Sequence, residues 1–138
     1  MEVTRRDTMA IGGAAIMSTL IPSISVASTN DLILGVTGGA DAATSGIDLT
    51  APEIAENGNT VPISVDAPGA VAITILAAGN PLPGVATFNF GDGAGSQSAT
   101  TRIRLAGTQD VIAVAKMADG SFAAVSKTVK VTIGGCGG

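Results

Sequence analysis

The pattern of hydrophobic and polar positions changes at Ile47. From there onward apolar and polar residues alternate with period two, and Gly, Pro, Asn and Asp interrupt the alternation at short intervals. This pattern is typical of the short strands of an all-β, immunoglobulin-like β-sandwich. We expect about seven strands, at residues 47–51, 61–65, 71–78, 85–90, 97–105, 111–117 and 122–133.

Several connections can also be predicted. Residues 71–78 are almost continuously apolar, which indicates a central strand, and the Asn-Pro-Leu-Pro sequence at 80–83 ends it. We expect a turn at 53–56. Asp119-Gly120 predicts a tight hairpin between the last two strands, because Asp-Gly readily adopts positive backbone angles.

The last strand is predicted to place Val125, Val129, Val131 and Ile133 on one face, with Ile133 as its anchor. Lys127 interrupts this face. Either its apolar stem extends past the sheet edge, or the strand contains a bulge.

Two arginines share the outer face of the strand at 97–105, since Arg102 and Arg104 alternate with Ile103 and Leu105. We interpret them as a solvated or partner-facing surface, and the other interpretation is an anion site.

The N-terminal residues have the pattern of a signal peptide. Arg5-Arg6 precedes an uncharged stretch, and small residues end it at Ala27. The apolar part is too short for a membrane span of roughly 20 residues. We therefore expect residues 1–27 to direct export of the folded protein to the periplasm by the twin-arginine route, with no membrane association after their removal. Residues 28–46 predict a loose or partly helical leader, and residues 47–133 the sandwich domain.

Composition excludes several functions. The chain has no histidine and one cysteine, which removes the usual ligands of zinc, copper, haem and iron-sulfur clusters, so we expect no cofactor and no metal. Folded export then favours a protein partner. A net charge of −4 and the lack of Trp and Tyr argue against nucleic acid. No nucleophile, base and orienting group can be connected, so we expect no catalysis.

The candidate chemistry lies at the C-terminus, where Cys136 is flanked by Gly134, Gly135, Gly137 and Gly138. Glycines offer nothing against which a thiol could be buried, so we expect a flexible arm with an exposed nucleophile. These five residues reach about 17 Å at full extension. No cation neighbours the thiol in sequence, so its activation is expected to come from the enzyme that receives the arm.

These residues resemble the SoxY family, the sulfur-carrier subunits of the periplasmic Sox thiosulfate-oxidising system. The resemblance rests on residues 51–58, 80–81, 101–106, 113–120 and above all 129–138.

The resemblance implies a carrier domain at 47–133 and a swinging arm at 134–138, with Cys136 as the covalent attachment point for thiosulfate-derived sulfur. It also implies a heterodimer with a SoxZ-like subunit. Transient partners would be a haem enzyme that conjugates thiosulfate, a hydrolase that releases sulfate and a sulfane dehydrogenase. The alternative function is an exported structural or adhesive β-sandwich module whose terminal cysteine only forms an intermolecular disulfide.

Overall fold

Two β-sheets pack face to face in the computed structural model, which describes residues 28–134. Its elements, in chain order, are α1 (Thr29–Thr37), β1 (Ala42–Ala43), β2 (Asp48–Thr50), β3 (Ile54–Ala55), β4 (Val61–Asp66), β5 (Ala70–Ala77), β6 (Gly84–Asn89), β7 (Ser98–Ile103), β8 (Gln109–Met117) and β9 (Phe122–Val131).

The larger sheet has the order β1-β9-β8-β5-β6, and β3 pairs with the other end of β9. The smaller sheet has the order β2-β4-β7. Neighbouring long strands are antiparallel, whereas β1 and β3 run parallel to β9. This arrangement confirms the predicted immunoglobulin-like sandwich. All seven expected strands are present, and β5 is central as predicted.

The core between the sheets is built from alternate positions of facing strands. On the smaller sheet β4 contributes Val61, Ile63 and Val65, and on the larger sheet β5 contributes Ile73 and Ile75. The inward residues of β8 complete this cluster. Since all of these side chains are buried, the period-two pattern of the sequence reports which face of each strand meets the other sheet.

A second apolar cluster covers the outer face of the larger sheet. It is formed by Leu76, Ile112, Val114 and Ala124, with α1 packed against it. Strands β5 and β8 are therefore buried on both faces over much of their length, which explains the almost continuous apolar sequence of β5 and the apolar run at 111–115 in β8.

The leader supplies this cover, and of its two expected forms the structure shows the helical one. Ser28 and Asp31 form a reciprocal capping box at the start of α1, and Gly38 ends the helix with φ 68°. After the helix, β1 pairs with Phe122 and Ala123 of β9. The leader thus extends the sheet, a long-range pairing that its local sequence does not indicate.

The prediction of a turn at 53–56 is wrong in part. Ile54 and Ala55 form β3, which pairs in parallel with Lys130 and Val131. A two-residue strand shows no periodicity, so only its distant partner defines it.

Lys127 lies opposite Val111 in an unbroken β8–β9 register, and its side chain is exposed. The strand therefore contains no bulge at this position. The predicted Asp119-Gly120 turn is confirmed, with φ 87° at Gly120. The hydroxyl and amide of Ser121 donate hydrogen bonds to Asp119 and lower the pKa of its carboxyl group.

No helix among residues 28–134 is long and apolar enough to cross a membrane. The signal-peptide prediction for residues 1–27 lies outside the described residues.

Two isoleucines allow a matched test of the core. Ile75 is fully buried between the sheets, whereas the side chain of Ile54 is 58% exposed. We expect Ile75→Ala to lower the free energy of unfolding by about 2–5 kcal/mol because it leaves a cavity. The same change at Ile54 should cost less than about 1 kcal/mol. Urea denaturation measures both, and equal losses would contradict this description of the core.

Candidate functional site at the end of the last strand

Of the predicted arm, the structure describes only its first residue. Cys136, Gly135, Gly137 and Gly138 lie outside the described residues. The structure shows how the chain is fixed to the sandwich as far as Gly134. We call residues 130–134 the arm root.

Backbone hydrogen bonds fix one side of the arm root to the segment that contains β3. The amide of Lys130 donates to the carbonyl of Glu53 at 2.9 Å, and the amide of Thr132 donates to Ala55 at 3.1 Å. The Thr132 hydroxyl adds a bond of 3.0 Å to the carbonyl of Glu56. These bonds continue the strand pairing beyond the last residue of β9.

Ile133 was expected to anchor the strand through its side chain, but that side chain is 67% exposed. Its carbonyl provides the anchor, because it accepts a 2.8 Å hydrogen bond from the amide of Gly58. The carbonyl of Gly58 in turn accepts from Leu105 at 2.7 Å. The alternating pattern predicts that Ile133 lies on the core face, but β9 ends at Val131 and the side chain of Ile133 lies beyond the core.

Gly134 contacts the loop that follows β7, on the side of the arm root opposite β3. A Cβ atom built at Gly134 would collide with the carbonyl oxygen of Ala106. Glycine is thus required here by the close approach of two backbones. Thr108 in the same loop accepts a 3.0 Å hydrogen bond from the amide of Val131.

A buried asparagine holds this loop in place. The amide nitrogen of Asn80 donates to the carbonyl of Arg104 at 2.9 Å, and its oxygen accepts from the amide of Ala106 at 2.9 Å. The side chain of Gln109, also buried, donates to the same oxygen at 2.9 Å. The buried side chain of Asn80 therefore provides partners for two backbone groups of this loop.

Gln109 extends the network in both directions. It donates to the carbonyl of Gly107 at 3.0 Å and accepts from the amide of Gly79 at 2.8 Å. The sequence predicts Asn80 as the end of a strand and as part of the family resemblance, but it does not single out Gln109. The local sequence carries no signal for its burial, because Gln109 begins β8 and is followed by Asp110, as at the end of a polar loop.

The two arginines lie where they were expected, with exposed side chains on the outer face of β7 and at its end. Among residues 28–134, no group of three His, Cys, Asp or Glu side chains could hold a metal ion.

The fold and the site together define a class: an immunoglobulin-like β-sandwich whose single cysteine lies two residues beyond a segment that hydrogen bonds hold on two sides. Comparison with known proteins identifies the family within this class.

The family model for the sulfur oxidation protein SoxY matches residues 34–136, a range that includes Cys136. Among solved structures, the sulfur carrier protein SoxY from Chlorobium limicola f. thiosulfatophilum is 33% identical, with a TM-score of 0.62 over 75% of this chain and 96% of that chain. The chain belongs to the SoxY family.

Other similar structures share only the fold. A superoxide reductase (neelaredoxin) from Ignicoccus hospitalis has a TM-score of 0.57 at 16% identity, covering 76% of this chain and 89% of that chain. A putative superoxide reductase from Thermotoga maritima has a TM-score of 0.52 at 19% identity, covering 62% and 84% of the two chains. The search of curated proteins returned no significant match.

Membership in the SoxY family confirms the resemblance seen in the sequence. It supports a sulfur-carrier protein of thiosulfate oxidation and does not favour a structural or adhesive module.

The contact between Gly134 and Ala106 can be tested with a matched pair of variants. Gly134→Ala should push the arm root away from the loop and weaken the bond from Gly58 to Ile133, because a backbone carbonyl cannot move aside cheaply. We expect hydrogen exchange of the Gly58 amide to accelerate by roughly tenfold, the equivalent of one weakened hydrogen bond. Gly107→Ala, where a Cβ meets nothing within 4 Å, is the control. Similar exchange in both variants would show that the contact does not fix the root.

The role of Asn80 predicts a large loss of stability on truncation. Asn80→Ala leaves the Ala106 amide and the Arg104 carbonyl without their partners, so we expect a cost of about 2–4 kcal/mol in the free energy of unfolding. Asn89→Ala, at the exposed end of β6, should cost less than about 1 kcal/mol. Urea denaturation of both variants gives the comparison, and a small effect at Asn80 would refute the network's structural role.

Proposed function

We propose that this chain carries sulfur intermediates of thiosulfate oxidation as covalent adducts of Cys136 and presents them to partner enzymes. The observation that carries this proposal is the SoxY family match, which extends to Cys136, at the end of a strand whose last residues are fixed to the sandwich.

The position of the cysteine suits a carrier. Cys136 is two residues beyond Gly134, so its Cα can lie at most about 7 Å from that fixed point. The four glycines around it carry no side chains, which lets a narrow channel in an enzyme admit the thiol. Because the root is held by backbone bonds to 53–58, the sandwich need not unfold when the arm is engaged.

The proposed chemistry uses the sulfur atom of Cys136 as the point of attachment. Oxidative conjugation joins the thiolate to thiosulfate with loss of two electrons, RS⁻ + S₂O₃²⁻ → RS–S–SO₃⁻ + 2e⁻, and the conjugating haem enzyme would supply acceptors for both electrons, since one haem iron takes up one. Hydrolysis then releases sulfate and leaves a persulfide, RS–S–SO₃⁻ + H₂O → RS–S⁻ + SO₄²⁻ + 2H⁺. A sulfane dehydrogenase would oxidise the remaining sulfur. In this scheme the partner enzymes supply the catalytic groups and the carrier supplies the thiol.

The partners and the compartment are part of the same proposal. The family resemblance supports a SoxZ-like subunit as the stable partner. The paired arginines, uncharged stretch and small residues of 1–27 support periplasmic export by the twin-arginine route. The lack of histidine and the single cysteine favour a bound partner as the reason for folded export.

Intact mass spectrometry of the native protein tests the carrier function. During thiosulfate turnover we expect species heavier by one thiosulfate group or one sulfur atom, each removed by reductant because the added group is held through a sulfur–sulfur bond. Cys136→Ser should show neither species and should abolish thiosulfate oxidation in the reconstituted system.

The sandwich of Cys136→Ser should unfold at the same urea concentration as that of the native protein, which controls for misfolding. An unmodified thiol throughout turnover would overturn the proposal. A disulfide dimer as the sole modification would instead favour the structural module.

A further inference from the structure

Arg102 and Arg104 line a shallow pocket of about 340 Å³ at the edge of the sandwich. The opposite wall includes Val85 of β6, in the other sheet, and Leu82 in the loop before β6. The pocket therefore lies between the two edge strands, β7 of the smaller sheet and β6 of the larger one.

The charge of this pocket is unusual for the chain. No Asp or Glu lies among its lining residues, although the protein has a net charge of −4. Arg102 lies near the end of β7 and Arg104 one residue beyond it, so two like charges that repel each other stand two residues apart in the chain. An anion between them would relieve this repulsion.

The shape of the cationic groups selects the kind of anion. A guanidinium group presents several N–H donors in a planar fork, which matches the paired oxygens of carboxylates, phosphates and other oxyanions. Leu82, which is 71% exposed, adds an apolar rim. These features fit a small tetrahedral oxyanion better than a hydrophobic ligand.

The pocket is connected to the arm root through one residue. Asn80 forms part of its wall, and the same side chain holds the amide of Ala106. The carbonyl of Ala106 is the group that packs against Gly134. The arm therefore starts beside the loop segment 104–106, which includes Arg104, and Cys136 follows two residues beyond Gly134.

We propose that Arg102 and Arg104 form a site for a sulfur oxyanion, an inference that rests on the carrier function proposed above. The sulfonate end of the adduct on Cys136 docks at this site while the carrier is not bound to an enzyme. The sulfonate carries the negative charge of the adduct at the end farthest from the protein backbone. The persulfide that follows sulfate release has lost this oxyanion, so the site distinguishes the two loaded states of the carrier.

A weak site is sufficient for this role. Short tethers give effective concentrations in the millimolar range, so a site with a Kd of about 1 mM would be about half occupied by the tethered group. The docked adduct is released by dissociation alone, which leaves it available to partner enzymes.

The adduct can be prepared on the purified chain with tetrathionate, RSH + S₄O₆²⁻ → RS–S–SO₃⁻ + S₂O₃²⁻ + H⁺. We expect the side-chain Nε–H resonances of Arg102 and Arg104 to shift on adduct formation. Neutralising both residues with Arg102→Gln and Arg104→Gln should speed cleavage of the adduct by a neutral phosphine by roughly twofold or more, as expected for a site about half occupied. The difference should shrink in high salt because the attraction is electrostatic.

The matched control is the double variant Lys116→Gln and Lys127→Gln, which removes the same charge from residues outside the pocket. Equal cleavage rates in the two double variants, together with unshifted arginine resonances, would overturn the site. Titration of Cys136→Ser with thiosulfate measures the affinity of the site for the free anion: half-maximal arginine shifts at about 1 mM support the site, whereas shifts with thiosulfate but none on adduct formation reject the docking of the arm.

Failure of this site is distinguishable from failure of the carrier function. If the arginine variants still accumulate adducts during thiosulfate turnover while the docking tests are negative, the carrier function stands and the site is wrong. If no adduct forms during turnover, the carrier function itself fails.

Discussion

The pairing of β9 is the interaction on which the rest of the structure depends. Along one side this strand pairs with β8 from Phe122 to Val129, and along the other it pairs with β1 at its start and β3 at its end. It therefore joins the leader, the centre of the larger sheet and the segment at 53–58. The same strand leads directly into the arm root, so the position of Gly134 follows from the pairing of the whole sheet.

Much of the fold follows from local sequence. The alternation of Val61, Ile63 and Val65 indicates a strand with one buried face, and the apolar run of β5 indicates a strand covered on both. The Asp119-Gly120 turn follows from the backbone preferences of two residues. In each case the physical cause lies within a few residues, so it can be read without knowing where the chain folds back.

What local sequence does not indicate is long-range pairing. Ile54 and Ala55 form a strand only because Lys130 and Val131 lie beside them, and α1 is fixed by an apolar face on β5 and β8. The buried amides of Asn80 and Gln109 likewise act through groups distant in sequence. For the site, the sequence identifies Cys136 and its glycines through the family pattern, while the support of the arm root depends on three segments that only the fold brings together.

Within residues 28–134, the outer edge of β9 is left without a neighbouring strand over part of its length. Between the pairings with β1 and β3, no strand of the described chain covers residues 124–129 on this side. An uncovered strand edge can recruit a strand from another molecule, and lysine is one of the residues that oppose this. Lys127 stands in the middle of the gap, with its exposed charge flanked by Ser126 and Thr128. Lys127, which interrupts the apolar pattern of the last strand, therefore opposes the addition of a strand from another molecule at the edge next to the arm.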